Sequence, residues 1–316
     1  MAAMKTKGDV HLSLFSHVRI EHLIAGMSGG AISTIILHPL DLIKIRFAVD
    51  EGKSSLASVL RPKYNGFLHA ISSIYQAEGI SGFYKGVTPN VVGSTCAWGL
   101  YFMFYNGMKT WMQEGDTRKD LGPGIQILLA AQSGVVTLAL TNPIWVAKTR
   151  LVLQYERKMA MSDPLKNYSG FLDCLAKIYR SEGIRGYYKG FVPGIFGVSH
   201  GALQFMAYER LKAWYSTYYD HHLDTKLGTL EYLSFGALSK LFASSITYPY
   251  QVVRARLQDQ HRQYGGVVEV AKLTWQYEGL RGFYKGLLPN LLRVTPATAI
   301  TFVVYEKVSH FLMSKA

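Results

Sequence analysis

Pro39-Leu40-Asp41-Leu42-Ile43-Lys44-Ile45-Arg46, Pro143-Ile144-Trp145-Val146-Ala147-Lys148-Thr149-Arg150 and Pro249-Tyr250-Gln251-Val252-Val253-Arg254-Ala255-Arg256 are three copies of one pattern, a proline followed five and seven residues later by bases. They lie 104 and 106 residues apart in a chain of 316. Three further landmarks follow each copy in the same order. Tyr-x-Gly stands at Tyr64, Tyr168 and Tyr264, and Glu-Gly at Glu78, Glu182 and Glu278 closes in Tyr-Lys-Gly at Tyr84, Tyr188 and Tyr284. A proline comes three residues after that last glycine, at Pro89, Pro193 and Pro289, and these landmarks step by 104 and then 96 residues. Four landmarks recurring three times in one order define an internal repeat, because each unit of a repeat architecture is one structural piece. The chain divides into an N-terminal tail, 1–17, and repeats over 18–115, 116–220 and 221–316.

Long apolar stretches flank the landmarks. Runs free of Asp, Glu, Lys and Arg cover Leu23 to Leu40, Gly86 to Met108, Leu121 to Ala147 and Gly190 to Tyr208, each long enough to cross a bilayer. The two corresponding stretches of the third repeat are interrupted once each, by Lys240 and by Arg293. A charge at membrane depth marks a functional position by default. The expectation is an all-α membrane protein with six transmembrane helices, two per repeat, arranged with pseudo-threefold symmetry. Between the paired spans, patterns such as Phe67 to Gln76 and Phe171 to Arg180 predict a short surface helix.

Composition agrees. Apolar residues make up 49% of the chain and charged ones 17%, well below the roughly 25% of soluble domains. The 34 Lys and Arg against 21 Asp and Glu leave a formal charge of +13, which points to anionic partners. Of those 34 bases, 21 fall between the signature bases and the Tyr-Lys-Gly lysines of the three repeats. By the positive-inside rule these loops face the negative-inside compartment, and six spans put both termini opposite. Cys96 and Cys174 are too few for a disulfide framework or a structural zinc site and read as packing residues. Met1 to Phe15 has no cleavable leader pattern, so targeting information is expected to be internal.

A proline inside a spanning helix removes a backbone hydrogen bond and kinks it, so three kinks at equal height would draw three helix ends together. Lys44, Lys148 and Arg254 then share one level, and Asp41 lies within reach of a neighbouring helix's base. Such a ring can close one end of a pore with ion pairs. Pairs broken in a low-dielectric site cost several kcal/mol, which substrate contacts must offset.

The triplicated Pro-x-acid-x-x-base-x-base pattern with its Gly-aromatic-base-Gly companion resembles the mitochondrial carrier family, over about His17 to Phe311. The resemblance implies a barrel of six tilted helices, a central substrate site, alternating access between two gates, a monomer, and the mitochondrial inner membrane with both termini toward the intermembrane space. It puts a matrix gate at Asp41, Lys44, Lys148, Gln251 and Arg254. Only Asp41 keeps the family's acid, since Trp145 and Gln251 stand at the other two positions. Asp41 would pair with Lys148, Gln251 would bond Lys44, and Arg254 would face the indole of Trp145. A cytoplasmic gate is implied at Asn106, Lys109, Glu209, Lys212, Glu306 and Ser309, where Glu306 would meet Lys109, Asn106 would meet Lys212, and Glu209 would meet Ser309. Tyr64, Gly66, Tyr84, Gly86, Tyr168, Gly170, Tyr188, Gly190, Tyr264, Gly266, Tyr284 and Gly286 are implied cardiolipin-binding elements, and read as turn chemistry or as helix starts with free amides otherwise.

The family's substrate contact positions fall on Gly93, Gly197 and Arg293, so two sides are expected to leave space and one to carry charge. Gly197-Val198 is similar to a pair found in nucleotide-type carriers, and Trp98 is placed to stack an aromatic ring. Lys240 lies about 40° from Arg254 around an ideal helix and replaces Gly30 and Gly134 of the other repeats. With Arg254 and Trp145 these residues form the candidate substrate site. The Trp145 signature resembles the subgroup carrying pyrimidine nucleotides, NAD, FAD or folate. Longer stretches, among them Gly194-Ile-Phe-Gly-Val-Ser-His-Gly-Ala-Leu-Gln-Phe and Arg293-Val-Thr-Pro, are similar to the folate- and FAD-carrying members. The expected cargo is therefore a large anionic heteroaromatic cofactor, FAD or folate, with NAD or a pyrimidine nucleotide as the alternative.

No catalytic constellation, resident cofactor or metal site is expected. Gly52-Lys53-Ser54 lacks the leading glycine of a phosphate loop, and Asp220-His221-His222 lacks further metal ligands. A basic peripheral nucleic-acid-binding protein is the competing reading, and the spread of charge over three equivalent loops argues against it.

Overall fold

A computed structural model describes residues 20–51, 62, 64–113, 121–155, 167–218 and 228–313. The N-terminal tail, Gly52-Lys53-Ser54 and Asp220-His221-His222 lie outside the described residues. Within them the chain is helical, without strands: α1 Ile20–Ala48, α2 Phe67–Gly82, α3 Val87–Met112, α4 Pro123–Val152, α5 Phe171–Tyr187, α6 Phe191–Phe196, α7 Ser199–Tyr218, α8 Thr229–Ile246, α9 Tyr248–Gln258, α10 Val267–Gly282 and α11 Leu287–Met313. These make six long segments, namely α1, α3, α4, α6 with α7, α8 with α9, and α11, and three short helices, α2, α5 and α10.

The six long segments form a closed ring. α1 packs on α3, α3 on α4, α4 on α6, α6 and α7 on α9 and α8, α8 on α11, and α11 returns along α1. At one end α1, α4 and α9 also touch one another, so the ring closes there. The buried apolar core sits at that closed end, where Leu42, Ile43, Val49, Val152, Leu153 and Val252 pack with Ala70 and Ile74 of α2. Elsewhere large apolar side chains are exposed, among them Ile36, Leu140, Phe205, Phe242 and Ile246. Gly124–Val152 and Leu287–Val308 are each long and apolar enough to cross a membrane by themselves. α1 carries His38, Asp41, Lys44 and Arg46 in its second half.

Proline acts differently in the three copies. Pro39 and Pro143 lie inside continuous helices, whereas the third copy is interrupted at Thr247, just before Pro249. The second segment of the middle repeat is also broken, at Gly197 and Val198.

The Tyr-Lys-Gly glycines start the second long segment of each repeat at φ 80°, 73° and 87°, the left-handed region that glycine enters without a Cβ penalty. Each also abuts the signature base of another repeat. A Cβ on Gly86 would lie 3.1 Å from Lys148 O, one on Gly190 3.1 Å from Arg254 O, and one on Gly286 2.6 Å from Lys44 O. The missing side chain is what lets neighbouring repeats approach at the closed end.

Candidate functional site

The second base of each signature anchors the closed end. Arg46 is buried and bidentate to Glu78, at 2.7 and 2.9 Å. Arg150 meets Glu182 at 2.8 Å and Arg256 meets Glu278 at 2.6 Å. The Tyr-Lys-Gly lysine completes each group, with Lys189 2.9 Å from Glu182, Lys285 2.6 Å from Glu278, and Lys85 on Glu78. Burial pushes these carboxyls up, but the guanidinium and ammonium groups overcome it and hold all three below the usual glutamate range. Sequence reasoning found these residues as landmarks and missed their contact. The constant seven-residue step from Glu to Lys in every repeat was the available signal.

Two of these arginines also bond across repeats. Arg46 Nε donates to Val152 O at 3.1 Å, and Arg256 Nε donates to Ala48 O at 3.0 Å. Arg150 Nε, the third, is buried without a partner among the described residues. At that seam Thr149 Oγ1 instead donates to Gln258 Oε1 at 2.7 Å.

One turn back along the signature, toward the cavity, lies a cluster of bases around a single acid. Asp41, 5% exposed, forms an ion pair with Lys148, 9% exposed. Asn90 Nδ2 donates to Asp41 Oδ2 at 3.5 Å, and Arg293 Nε stands 3.9 Å from Oδ1. Two expected contacts differ. Lys148, not Arg254, lies over the Trp145 ring, at 5.3 Å. Arg254 instead donates to Asn142 Oδ1 at 3.1 Å, and Asn142 Nδ2 donates to Tyr187 O. The asparagine just before Pro143 is close enough to take the guanidinium first. Lys44 lies over the Tyr248 ring at 5.9 Å, and among the described residues no hydrogen bond joins it to Gln251. Lys44, Lys148 and Arg293 thus surround one carboxylate, with Arg254 as a further charge near Lys44 and Lys148.

The expected open walls at Gly93 and Gly197 are filled. A Cβ on Gly93 would lie 3.0 Å from Ile144 and 3.4 Å from Trp145, and one on Gly197 would lie 2.8 Å from the Tyr250 hydroxyl. In both places the residues after the next repeat's signature proline occupy the space. Val198 packs on Gly134. Beside Trp145 opens a recess of about 280 Å³ lined by Ser94, Ala97, Trp98, Tyr101, Gly134, Thr137 and Trp145. Trp98, 63% exposed, stacks on Phe102 at 5.7 Å. Trp145 is fixed by its Nε1–H, which donates to Thr141 Oγ1 at 3.2 Å. Lys240 is half-buried, with Arg293 as a neighbouring charge.

At the other end Asn106, Glu209 and Glu306 are exposed and Lys109 and Lys212 half-buried. No ion pair joins these five among the described residues, and the Ser309 side chain lies outside them. Of the implied lipid elements, Tyr64 and Tyr168 are buried, and Arg46 donates to the Tyr64 hydroxyl at 3.3 Å. Tyr84 and Tyr188 remain exposed, while Tyr264 lies under Arg262 at 4.8 Å. Gly66, Gly170 and Gly266 precede α2, α5 and α10. Cys174 is buried, which pushes its thiol up to about 12 and leaves it a packing residue.

A ring of helices closed at one end by ion pairs, with bases and aromatic rings facing its interior, defines a solute carrier. The family model described as mitochondrial carrier protein matches residues 17–116, 119–219 and 225–316, and the chain belongs to the mitochondrial carrier family, whose members are transporters and not enzymes. It is 40% identical over 302 residues to folate transporter 1, chloroplastic, of Arabidopsis thaliana, covering 92% of this chain and 95% of that protein. It is 36% identical to nicotinamide adenine dinucleotide transporter 1, chloroplastic, of the same plant, over 92% of this chain and 91% of that one. To the mitochondrial FAD carrier protein FLX1 of Saccharomyces cerevisiae it is 34% identical, over 92% and 97%.

Proposed function

We propose that the six long segments each span the mitochondrial inner membrane and that the protein carries FAD or folate by alternating access, as a monomer with both termini toward the intermembrane space. The observation that carries this reading is the excess of bases over Asp41 at the closed end, joined through Trp145 to the aromatic recess. The heteroaromatic ring of the cargo lies against Trp98 and Trp145. Its phosphates or carboxylates meet Arg293 and Lys240, with Arg254 beneath. The relatives named for folate and FAD support this cargo, and those named for nicotinamide adenine dinucleotide support a dinucleotide as the second reading.

Asp41, Lys44, Lys148, Gln251 and Arg254 act as the matrix gate. An incoming anion competes with Asp41 for its bases, so cargo binding offsets the breaking of the pair. Asn106, Lys109, Glu209, Lys212, Glu306 and Ser309 then close the cytoplasmic side. Cardiolipin headgroups take the glycine-led helix starts at Gly66, Gly86, Gly170, Gly190, Gly266 and Gly286, bounded by Tyr84, Tyr188, Tyr284 and the buried Tyr64 and Tyr168, with Tyr264 completing the third site.

Uptake of labelled FAD, reduced folate, NAD and a pyrimidine nucleotide into cardiolipin-containing proteoliposomes tests this. The expected result is uptake of FAD or folate, reduced about tenfold by Lys240→Ala. Uptake of NAD alone establishes the second reading, and uptake of none contradicts both.

A further inference from the structure

The two interrupted long segments are neighbours, and their interruptions are joined. At the first, Gly197 N–H donates to Gly194 O and Val198 N–H to Ile195 O, each at 3.0 Å, the tighter three-residue spacing of a 3₁₀ turn. At the second, α8 gives way to α9 at Thr247. His200, three residues beyond the first break, reaches the second with Nδ1 3.0 Å from Thr247 Oγ1.

This contact fixes the ring's tautomer. Thr247 has one hydroxyl proton, and it is donated to Ala243 O at 2.7 Å. Thr247 therefore accepts from His200, so Nδ1 carries the hydrogen, and the Ala243 carbonyl faces the same edge of the ring. In the neutral ring Nε2 then holds a lone pair, and no group among the described residues bonds it. Lys240 and Lys44 lie within charge range of this ring. Lysine and arginine side chains only donate, so His200 offers an acceptor among donors. The equivalent positions of the other repeats hold Cys96 and Pro296, which offer no comparable acceptor.

We propose that His200 is a specificity-determining residue of the transport site: its Nε2 accepts a hydrogen bond from a hydroxyl or N–H that the cargo carries next to its anionic group. Thr247 is the positioning residue that holds the ring in that tautomer. The inference rests on the carrier reading above. Discrimination of this kind is strong because a site built to pair a donor leaves it unpaired when the acceptor is removed.

The test is uptake of labelled FAD and of reduced folate by the wild-type protein and by His200→Phe, His200→Gln and Thr247→Val, with thermal unfolding in detergent as the check of folding. His200→Phe keeps the ring volume without an acceptor. For whichever cargo the wild type moves, its KM should rise about tenfold with kcat within about twofold. His200→Gln restores an acceptor and should return KM to within about threefold of wild type. A KM for His200→Phe within about twofold of wild type, or equal losses in His200→Gln and His200→Phe, overturns the proposal. If His200→Phe does not fold, Thr247→Val decides: a raised KM supports the role and an unchanged KM overturns it. Absence of wild-type uptake of either cargo overturns the FAD-or-folate reading instead, which separates the two failures.

Discussion

The two ends of the ring differ in how their charges are used. At the closed end Asp41, Lys148 and the three Arg-Glu-Lys groups are paired and largely buried, and glycines let the repeats touch. At the open end Glu209 and Glu306 are exposed and Lys212 half-buried, with no ion pair among them in the described residues. The same repeat thus makes a bonded end and a loose one, as a carrier held with one side shut requires. Buried pairs matter here because removing one partner strands the other, not because pairs are strongly stabilising by themselves.

The largest effect expected follows from stranding Lys148. Asp41→Asn should destabilise the closed form by about 3–5 kcal/mol and nearly abolish uptake, read by thermal unfolding and transport. Next, Gly286→Ala places a methyl 2.6 Å from Lys44 O at φ 87° and should cost about 2–4 kcal/mol. Gly30→Ala, with nothing within 4 Å, should stay within about 0.5 kcal/mol; equal melting temperatures for the two variants would break the close-approach account.

Acid should weaken the closed end through its glutamates. Glu78, Glu182 and Glu278 titrate below their ordinary value of 4.5 in the folded chain, so their contribution is complete above that value and is lost as pH falls through the folded ones. Melting temperature should be level from neutrality to about pH 5 and then drop, and a drop already at neutral pH would contradict the assignment. The smallest contrast lies between seams. Arg46→Lys and Arg256→Lys lose a buried cross-repeat bond worth about 1 kcal/mol; Arg150→Lys, whose Nε has no partner, should cost less than either by denaturant titration.

Much of this was legible in the sequence because it is periodic. The three repeats, the long apolar segments and the short helices follow from landmark spacing and hydropathy alone. The ion pair at the closed end was readable where a residue type is constrained by its position in the repeat, as with the acid Asp41 and the base Lys148. What was not legible depends on side chains arriving from another repeat. Trp145 and Tyr250 fill the space left by Gly93 and Gly197, Asn142 takes Arg254, and Arg46 reaches Val152 O. The helix break at Gly197 was equally hidden, since apolar periodicity does not register a turn inside an apolar run, whereas the one at Thr247 falls two residues before Pro249, where a kink is expected.

The most direct measurement of the gate is charge reversal in proteoliposomes loaded for FAD and folate uptake. Asp41→Lys and Lys148→Asp should each lose uptake, and the double reversal should recover a substantial part of it because the pair is rebuilt with its ends exchanged. Single variants that transport as the wild type does, or a double variant no better than either single one, would contradict an ion-paired gate at the closed end.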